Sequence, residues 1–170
     1  MNDMKKIMTA FLILVNVSVL YAQQNKDLKE QLTGTWTLVS VDNIYPDSSR
    51  QHPYGEDPAG MLVFDARGNY AIQILKAVRP NVASGDKNKG TAEEYQALVQ
   101  GSNSHFGTYS VDEASKTITF NIAHASFPNW EGTVQKRLYR YTGNEIKYVV
   151  THTTQGGQSV IAEVAWKRLQ

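Results

Sequence analysis

Apolar and polar residues alternate along most of the chain after residue 31, which is the pattern of half-buried β-strands. The clearest case is 117–123, where every second residue is isoleucine or phenylalanine. His124 continues this apolar set in position, so we expect it to face the same side. Eight strands are predicted in all, and glycine- and aspartate-containing turns join most of them into hairpins. They are 33–45, 60–65, 69–77, 104–111, 117–123, 133–141, 145–153 and 159–169.

The last predicted strand is long and half apolar, so both of its edges need a partner. Pairing it with the first strand removes both edges and predicts an all-β fold, an eight-stranded antiparallel up-and-down β-barrel. A barrel of this size has room for one small ligand. An open sandwich is the alternative fold.

Gly34 and Trp36 predict the floor of this barrel, because a glycine permits a close backbone approach just where a large ring must be buried. Trp166 lies on the apolar face of the last strand. We assign this group to barrel closure and not to function.

One segment departs from the alternation. Thr91 followed by Glu94 matches a helix capping box, and Leu98 and Val99 continue it at helical spacing. This predicts a short helix that ends at Gly101 and that could plug an open end of the barrel. The polar, proline-containing loop 50–60 is either a lid over the mouth or a simple connector.

The N-terminus carries the features of a secretory signal peptide: Lys5 and Lys6, an apolar stretch over 7–20, and Ala22 at the cleavage position. We therefore predict a signal peptide over 1–22, a polar lead-in over 23–31 and a barrel domain over 32–170. An uncleaved membrane anchor is the less favoured alternative because the apolar run is short. The absence of cysteine fits a bacterial periplasm or exterior, with no stable membrane anchor after cleavage.

Charge excludes one class of partner. The chain has 17 Lys and Arg against 16 Asp and Glu, so no excess of basic charge favours nucleic acid. The four histidines lack the spacing of metal ligands, and no nucleotide or nucleophile motif is present, so we expect no metal and no cofactor. The sequence indicates no particular protein partner.

Arg137 and Tyr139 share one face of their strand, while Val134 and Leu138 share the other. If the first face points inward, a buried arginine beside tyrosines would form a receptor for a carboxylate. If the second face points inward, Arg137 is solvated. The apolar count favours neither arrangement.

Further ligand contacts are expected from polar groups near the inner faces and the mouth. His124 and His152 end otherwise apolar strand faces, and Tyr54 lies in the 50–60 loop. Tyr70 and Tyr109 complete this predicted set. Each histidine could instead be a rim residue that bonds a neighbouring loop.

Five segments in order resemble the bacterial and fungal lipocalin-like domain family. They are L-T-G-T-W-T-L-V-S (32–40), the stretch 54–70, F-G-T-Y-S-V-D (106–112), the stretch 126–137 and the terminal W-K-R (166–168). The resemblance implies an eight-stranded calycin-type barrel with an interior cavity, and it implies no particular reaction. It also implies that Arg168 stacks on Trp36 as a cation–π pair that closes the barrel floor.

These patterns favour an exported protein that binds a small hydrophobic or amphipathic molecule inside the barrel. One alternative is an isomerase or cyclase on the same scaffold that uses a pocket histidine for proton transfer. Another is a protein-interaction or inhibitor module that acts through the aromatic turn 126–132.

Overall fold

A computed structural model describes residues 27–155 and 158–169, with the side chains of 152–155 and 158 left out. The predicted signal peptide and most of the polar lead-in therefore lie outside the described residues. Within the described part the chain forms nine strands, two α-helices and a 3₁₀ turn at Pro128–Trp130. The helices are α1 (Leu28–Leu32) and α2 (Ala92–Gln100). The strands are β1 (Gly34–Ile44), β2 (Arg50–Gln51), β3 (Ala59–Phe64), β4 (Asn69–Leu75), β5 (Ser102–Asp112), β6 (Thr117–Ala125), β7 (Val134–Tyr141), β8 (Glu145–Gln155) and β9 (Gln158–Arg168).

The strands form a closed antiparallel barrel. From β3 to β9 each strand pairs with the next, β3 also pairs with β1, and β9 returns to pair with β1. The prediction of an eight-stranded up-and-down barrel is therefore confirmed, and the open sandwich is wrong. The predicted 50–60 loop also contains β2, a two-residue strand that pairs with the end of β1 through Asn43 and Ile44.

The floor of the barrel is built around Trp36, which is 0% exposed. The Arg168 guanidinium carbon lies 4.2 Å from the centre of the Trp36 ring, as predicted. Gly34 has a φ of 134°, and a Cβ there would come within 3.0 Å of the Arg168 Nη1 atom. A side chain at Gly34 would therefore strain the backbone and crowd the cation.

Helix α1 covers this floor from outside. Leu28 and Leu32 are buried, and the Trp36 indole nitrogen donates to the Leu32 carbonyl at 2.9 Å. The Leu28 amide donates to the Glu113 carboxylate at 2.9 Å, which ties the helix to the turn after β5. This end of the barrel is closed by packing and hydrogen bonds together.

Helix α2 lies at the opposite end and buries none of its residues. Its capping box between Thr91 and Glu94 is present as predicted. Val99 and Gln100 contribute to the wall of an opening there, so the helix flanks this end and leaves it unplugged. Within the described residues no helix combines the length and the apolar character needed to cross a bilayer.

The inward face of β6 is apolar as expected up to Ile122, which is 2% exposed. The expectation that His124 faces inward is wrong. The register with β5 shifts here, because Ile122 pairs with Gly107 and His124 pairs with Phe106, which leaves Ala123 as an extra residue. This β-bulge breaks the alternation and turns His124 outward, against the exposed ring of Phe106.

Candidate functional site

The interior of the barrel holds a cavity of about 860 Å³ that opens at the end opposite Trp36. This volume lies within the range of roughly 300–1,000 Å³ that is usual for small-molecule sites. Apolar side chains from several strands form part of its wall, namely Val41, Ile72, Ile74, Tyr148, Val150, Ala162 and Val164. The cavity wall is thus partly apolar, and polar side chains project from it into the cavity.

Arg137 on β7 is the most unusual of these polar groups. It is 6% exposed, whereas Val134 and Leu138 on the same strand are 59% and 56% exposed. The face that carries Arg137 therefore points into the barrel, and the two apolar residues point outward. Of the two arrangements that the sequence left open, the inward arginine is the one observed.

The Arg137 guanidinium has only neutral neighbours. Its Nη2 atom donates to the Gln135 side-chain oxygen at 2.7 Å and lies 3.5 Å from His105 Nε2. Its central carbon lies 4.7 Å from the Phe120 ring and 4.8 Å from the Tyr148 ring. Among the described residues no Asp or Glu forms an ion pair with it. A buried cation without a counter-charge is costly, and an anion entering the cavity would relieve that cost.

His105 on β5 lies beside Arg137 and is 2% exposed. Its Nδ1 atom is 2.8 Å from the Tyr70 hydroxyl oxygen, and the Trp130 ring packs against it edge-on. Burial, reinforced by the positive charge of Arg137, lowers the pKa of His105 to about 3. The imidazole is therefore neutral at physiological pH, and it leaves the charge of Arg137 uncompensated.

The hydrogen bonds assign a tautomer to His105. A guanidinium can only donate, so the Nε2 atom that faces Arg137 must carry the lone pair. The proton then lies on Nδ1, which donates to the Tyr70 oxygen. Burial also raises the pKa of Tyr70, so its hydroxyl stays protonated. Both ring nitrogens of His105 are directed at protein groups.

The charges on the cavity wall are all positive. Besides Arg137, the wall includes the exposed Lys76, and no Asp or Glu is among the described residues that line it. A concave site lined by charges of one sign attracts ions of the opposite sign. The interior is therefore suited to an anion.

Polar groups also occur toward the mouth. The Asn43 side chain on β1 lines the cavity and is 5% exposed. Tyr54 lines it from the 50–60 loop, which the bond from the Ala77 amide to the Tyr54 carbonyl, at 2.8 Å, holds against the end of β4. Burial raises the pKa of Tyr54, and a hydrogen bond from Asn103 opposes this shift in part. The loop is thus part of the cavity wall.

The structure brings two of the sequence-predicted site residues, Arg137 and Tyr54, to the cavity wall. Tyr70 lies behind His105 and is not on the wall. Tyr139 and Tyr109 are buried nearer the floor, where Tyr109 packs 4.3 Å from the ring of Phe64. The structure does not bring these three tyrosines into the cavity.

Of the predicted histidines, His124 is not brought to the cavity. It faces outward, with its side chain 3.5 Å from the Glu131 carboxylate. The side chain of His152 lies outside the described residues. A different histidine, His105, which the sequence reasoning considered only as a metal ligand, reaches the interior. Its place two positions before Gly107 and four before Tyr109, on one strand face, is the signal that could have found it.

A second hollow, of about 500 Å³, lies on the outside of the barrel between β3 and β6. It is more open than the interior cavity, and Val63, Ala71 and Phe106 are among its lining residues. No lysine or arginine lines it among the described residues. The interior is therefore the candidate functional site.

Sequence comparison agrees with this architecture. The chain matches the sequence profile of the lipocalin-like domain over residues 33–169, which spans the whole described barrel. No curated protein is similar enough in sequence to count as a match. With the closed barrel, its interior cavity and this match taken together, the chain belongs to the lipocalin-like domain family.

Proposed function

We propose that this barrel is a binding protein for a small, mostly apolar organic acid, whose acidic group pairs with Arg137 inside the cavity. The observation that carries the proposal is a guanidinium that is 6% exposed and faces only neutral partners among the described residues. A carboxylate would form charge-assisted hydrogen bonds with the N–H donors along the edge of this planar group. The cation Lys76 on the same wall adds to the preference for an anion.

The family supports a ligand-binding barrel in general, and the acid is the finer part of the proposal. The basic and apolar N-terminal segment also leads us to propose that the protein acts after export from a bacterial cytoplasm. A test of that part is mass determination of the mature protein from its native host, with removal of 1–22 as the expected result.

The two alternatives have less support. Proton transfer by His105 requires a ring nitrogen aimed at the ligand, and both of its nitrogens face Arg137 and Tyr70. A protein-interaction ridge at the aromatic turn requires an exposed Trp130, but this ring is partly buried against His105 and lines the cavity. Binding is the function that this geometry favours.

The test compares decanoate with decanol by isothermal titration calorimetry on the purified protein. We expect decanoate to bind at least about tenfold more tightly, because only the acid relieves the buried charge. The Arg137→Met variant should lose this preference. Its unfolding free energy should be unchanged or higher, because the substitution removes an unpaired buried cation.

Arg140→Met is the matched control, since Arg140 is on the same strand and faces outward. It should bind decanoate as the wild type does. Equal affinity of wild type and Arg137→Met for decanoate, or equal affinity of the wild type for the acid and the alcohol, would contradict the proposal.

A further inference from the structure

A second polar group faces the cavity without a partner. Asn43 is 5% exposed, and its side-chain amide makes no hydrogen bond within the described residues. The amide nitrogen and oxygen are not fully enclosed, so a molecule in the cavity that Asn43 lines can reach them. A buried amide of this kind is costly unless something bonds to it.

The register places Asn43 and Arg137 on one row of paired residues. Asn43 pairs with Ala162, and Ala162 pairs with Val150. Arg137 continues the ladder in which Leu138 pairs with Val149, so it lies opposite Val150. Three inter-strand steps, from β7 through β8 and β9 to β1, separate the two residues, which is roughly 14 Å along the wall at about 4.8 Å per step. Because barrel strands are tilted, this row runs obliquely to the barrel axis. Both side chains point inward.

We infer that Asn43 forms a second polar subsite, and that the ligand is a hydroxylated organic acid. This inference rests on the proposed function, since Arg137 holds the acidic end. An amide both donates and accepts, and a hydroxyl does the same, so a hydroxyl can bond to whichever atom of the amide it meets. An unsubstituted fatty acid would leave the amide unpaired when it displaces the water around it.

Neighbouring groups fit this assignment. Asn103 and Tyr54 also line the cavity, and the Asn103 Oδ1 atom is buried without a hydrogen-bond partner. No acidic side chain is among the described residues on this wall, so a hydroxyl meets no competing charge there.

The test measures the affinities of acid pairs that differ by one terminal hydroxyl: hexanoate, octanoate and decanoate against their ω-hydroxy forms. In the wild type we expect the hydroxyl to improve binding by about two- to tenfold for the chain length that spans both subsites. In Asn43→Leu this ratio should fall to about one, while the affinity for the parent acid is kept or improved. Taking the ratio within one variant cancels any change in the shape of the cavity.

Asn121→Leu is the matched control, because this amide is exposed on the outer face of β6, and it should keep the wild-type ratio. Asn43→Ser provides a second variant if the leucine prevents folding, and it should retain part of the preference. Acids that bind equally well with and without the hydroxyl at every length would overturn the inference and leave the proposed function standing. If no acid binds, both fail.

Discussion

His105 shows how a single residue can support a charged site without neutralising it. A carboxylate in its place would pair with Arg137 and remove the positive charge from the cavity. A neutral imidazole, held by Tyr70 on one side, instead contacts the guanidinium through a lone pair. The charge of Arg137 remains available, and its geometry is fixed by protein contacts.

The state of His105 predicts how stability depends on pH. The folded protein holds its pKa at about 3, below the value of 6.5 expected of the unfolded chain. Below pH 6.5 the unfolded chain therefore binds a proton that the folded protein does not. The stability that this residue contributes is complete above about pH 6.5 and decreases toward pH 3, by up to about 1.4 kcal/mol per pH unit.

Urea unfolding at pH 7 and pH 5 measures this effect. The wild type should lose roughly 2 kcal/mol more than His105→Gln between these two values. His124→Gln, which alters an outward-facing histidine, should lose as much as the wild type. An identical loss in wild type and His105→Gln would show that His105 is not held neutral.

The direction in which each side chain points was the hardest part of the site to predict. Val134 and Leu138 are as apolar as a core face, yet they point outward because the arginine–tyrosine face of β7 completes the interior. His124 points outward, contrary to the prediction, because one extra residue, Ala123, interrupts the ladder with β5. Neither feature follows from the local pattern, since both are settled by pairing with neighbouring strands.

At the scale of elements, the connection from α1 into β1 depends on Arg168 at the end of β9. Its Nη1 atom donates to the Thr33 carbonyl at 3.1 Å, and its Nη2 atom donates to the Gln31 carbonyl. The same guanidinium stacks on Trp36. One side chain of the last strand therefore holds the helix, the first strand and the floor together.

Arg168→Met should lower the unfolding free energy by about 1–3 kcal/mol, because it removes the cation–π contact and three hydrogen bonds, to the carbonyls of Gln31, Thr33 and Gly143. The unfolding free energy of Arg168→Lys should lie between those of the wild type and Arg168→Met, since an ammonium keeps the charge but loses the planar set of donors. Lys167→Met, an exposed neighbour, provides the control in the same denaturant titration. A variant at Arg168 that is as stable as the one at Lys167 would contradict this role.

The elements themselves could be predicted well. Alternation placed all eight barrel strands, and the capping box placed α2, because these signals are local. The sequence missed β2, whose two residues are too few to show a period and which exists only by pairing with Asn43 and Ile44. The contact between His105 and Arg137 was missed because it also depends on how strands far apart in the sequence are placed.

At the scale of the whole molecule, a nearly neutral chain presents a cationic interior. The overall balance of 17 basic and 16 acidic residues conceals this, because acidic groups are absent from the described cavity wall. Lys76 adds a second positive charge to that of Arg137 on the wall. An anion approaching the opening would therefore meet an attractive field.

This field predicts a kinetic effect. The variant Lys76→Gln should slow association of a fluorescent fatty acid about twofold at low salt and change its dissociation little. The difference from wild type should shrink at high salt, where the Debye length is short. Arg67→Gln, in the turn at the floor end, serves as the control in the same stopped-flow measurement. An unchanged association rate in Lys76→Gln would exclude electrostatic steering.

Closure of the ring by β1 and β9 also has a consequence for the order of events during biosynthesis. The first strand cannot be completed until the last strand, 11 residues near the C-terminus, is available to pair with it. Contacts between chain ends are slow to form and come late in folding. The barrel therefore cannot close until β9 has left the ribosome.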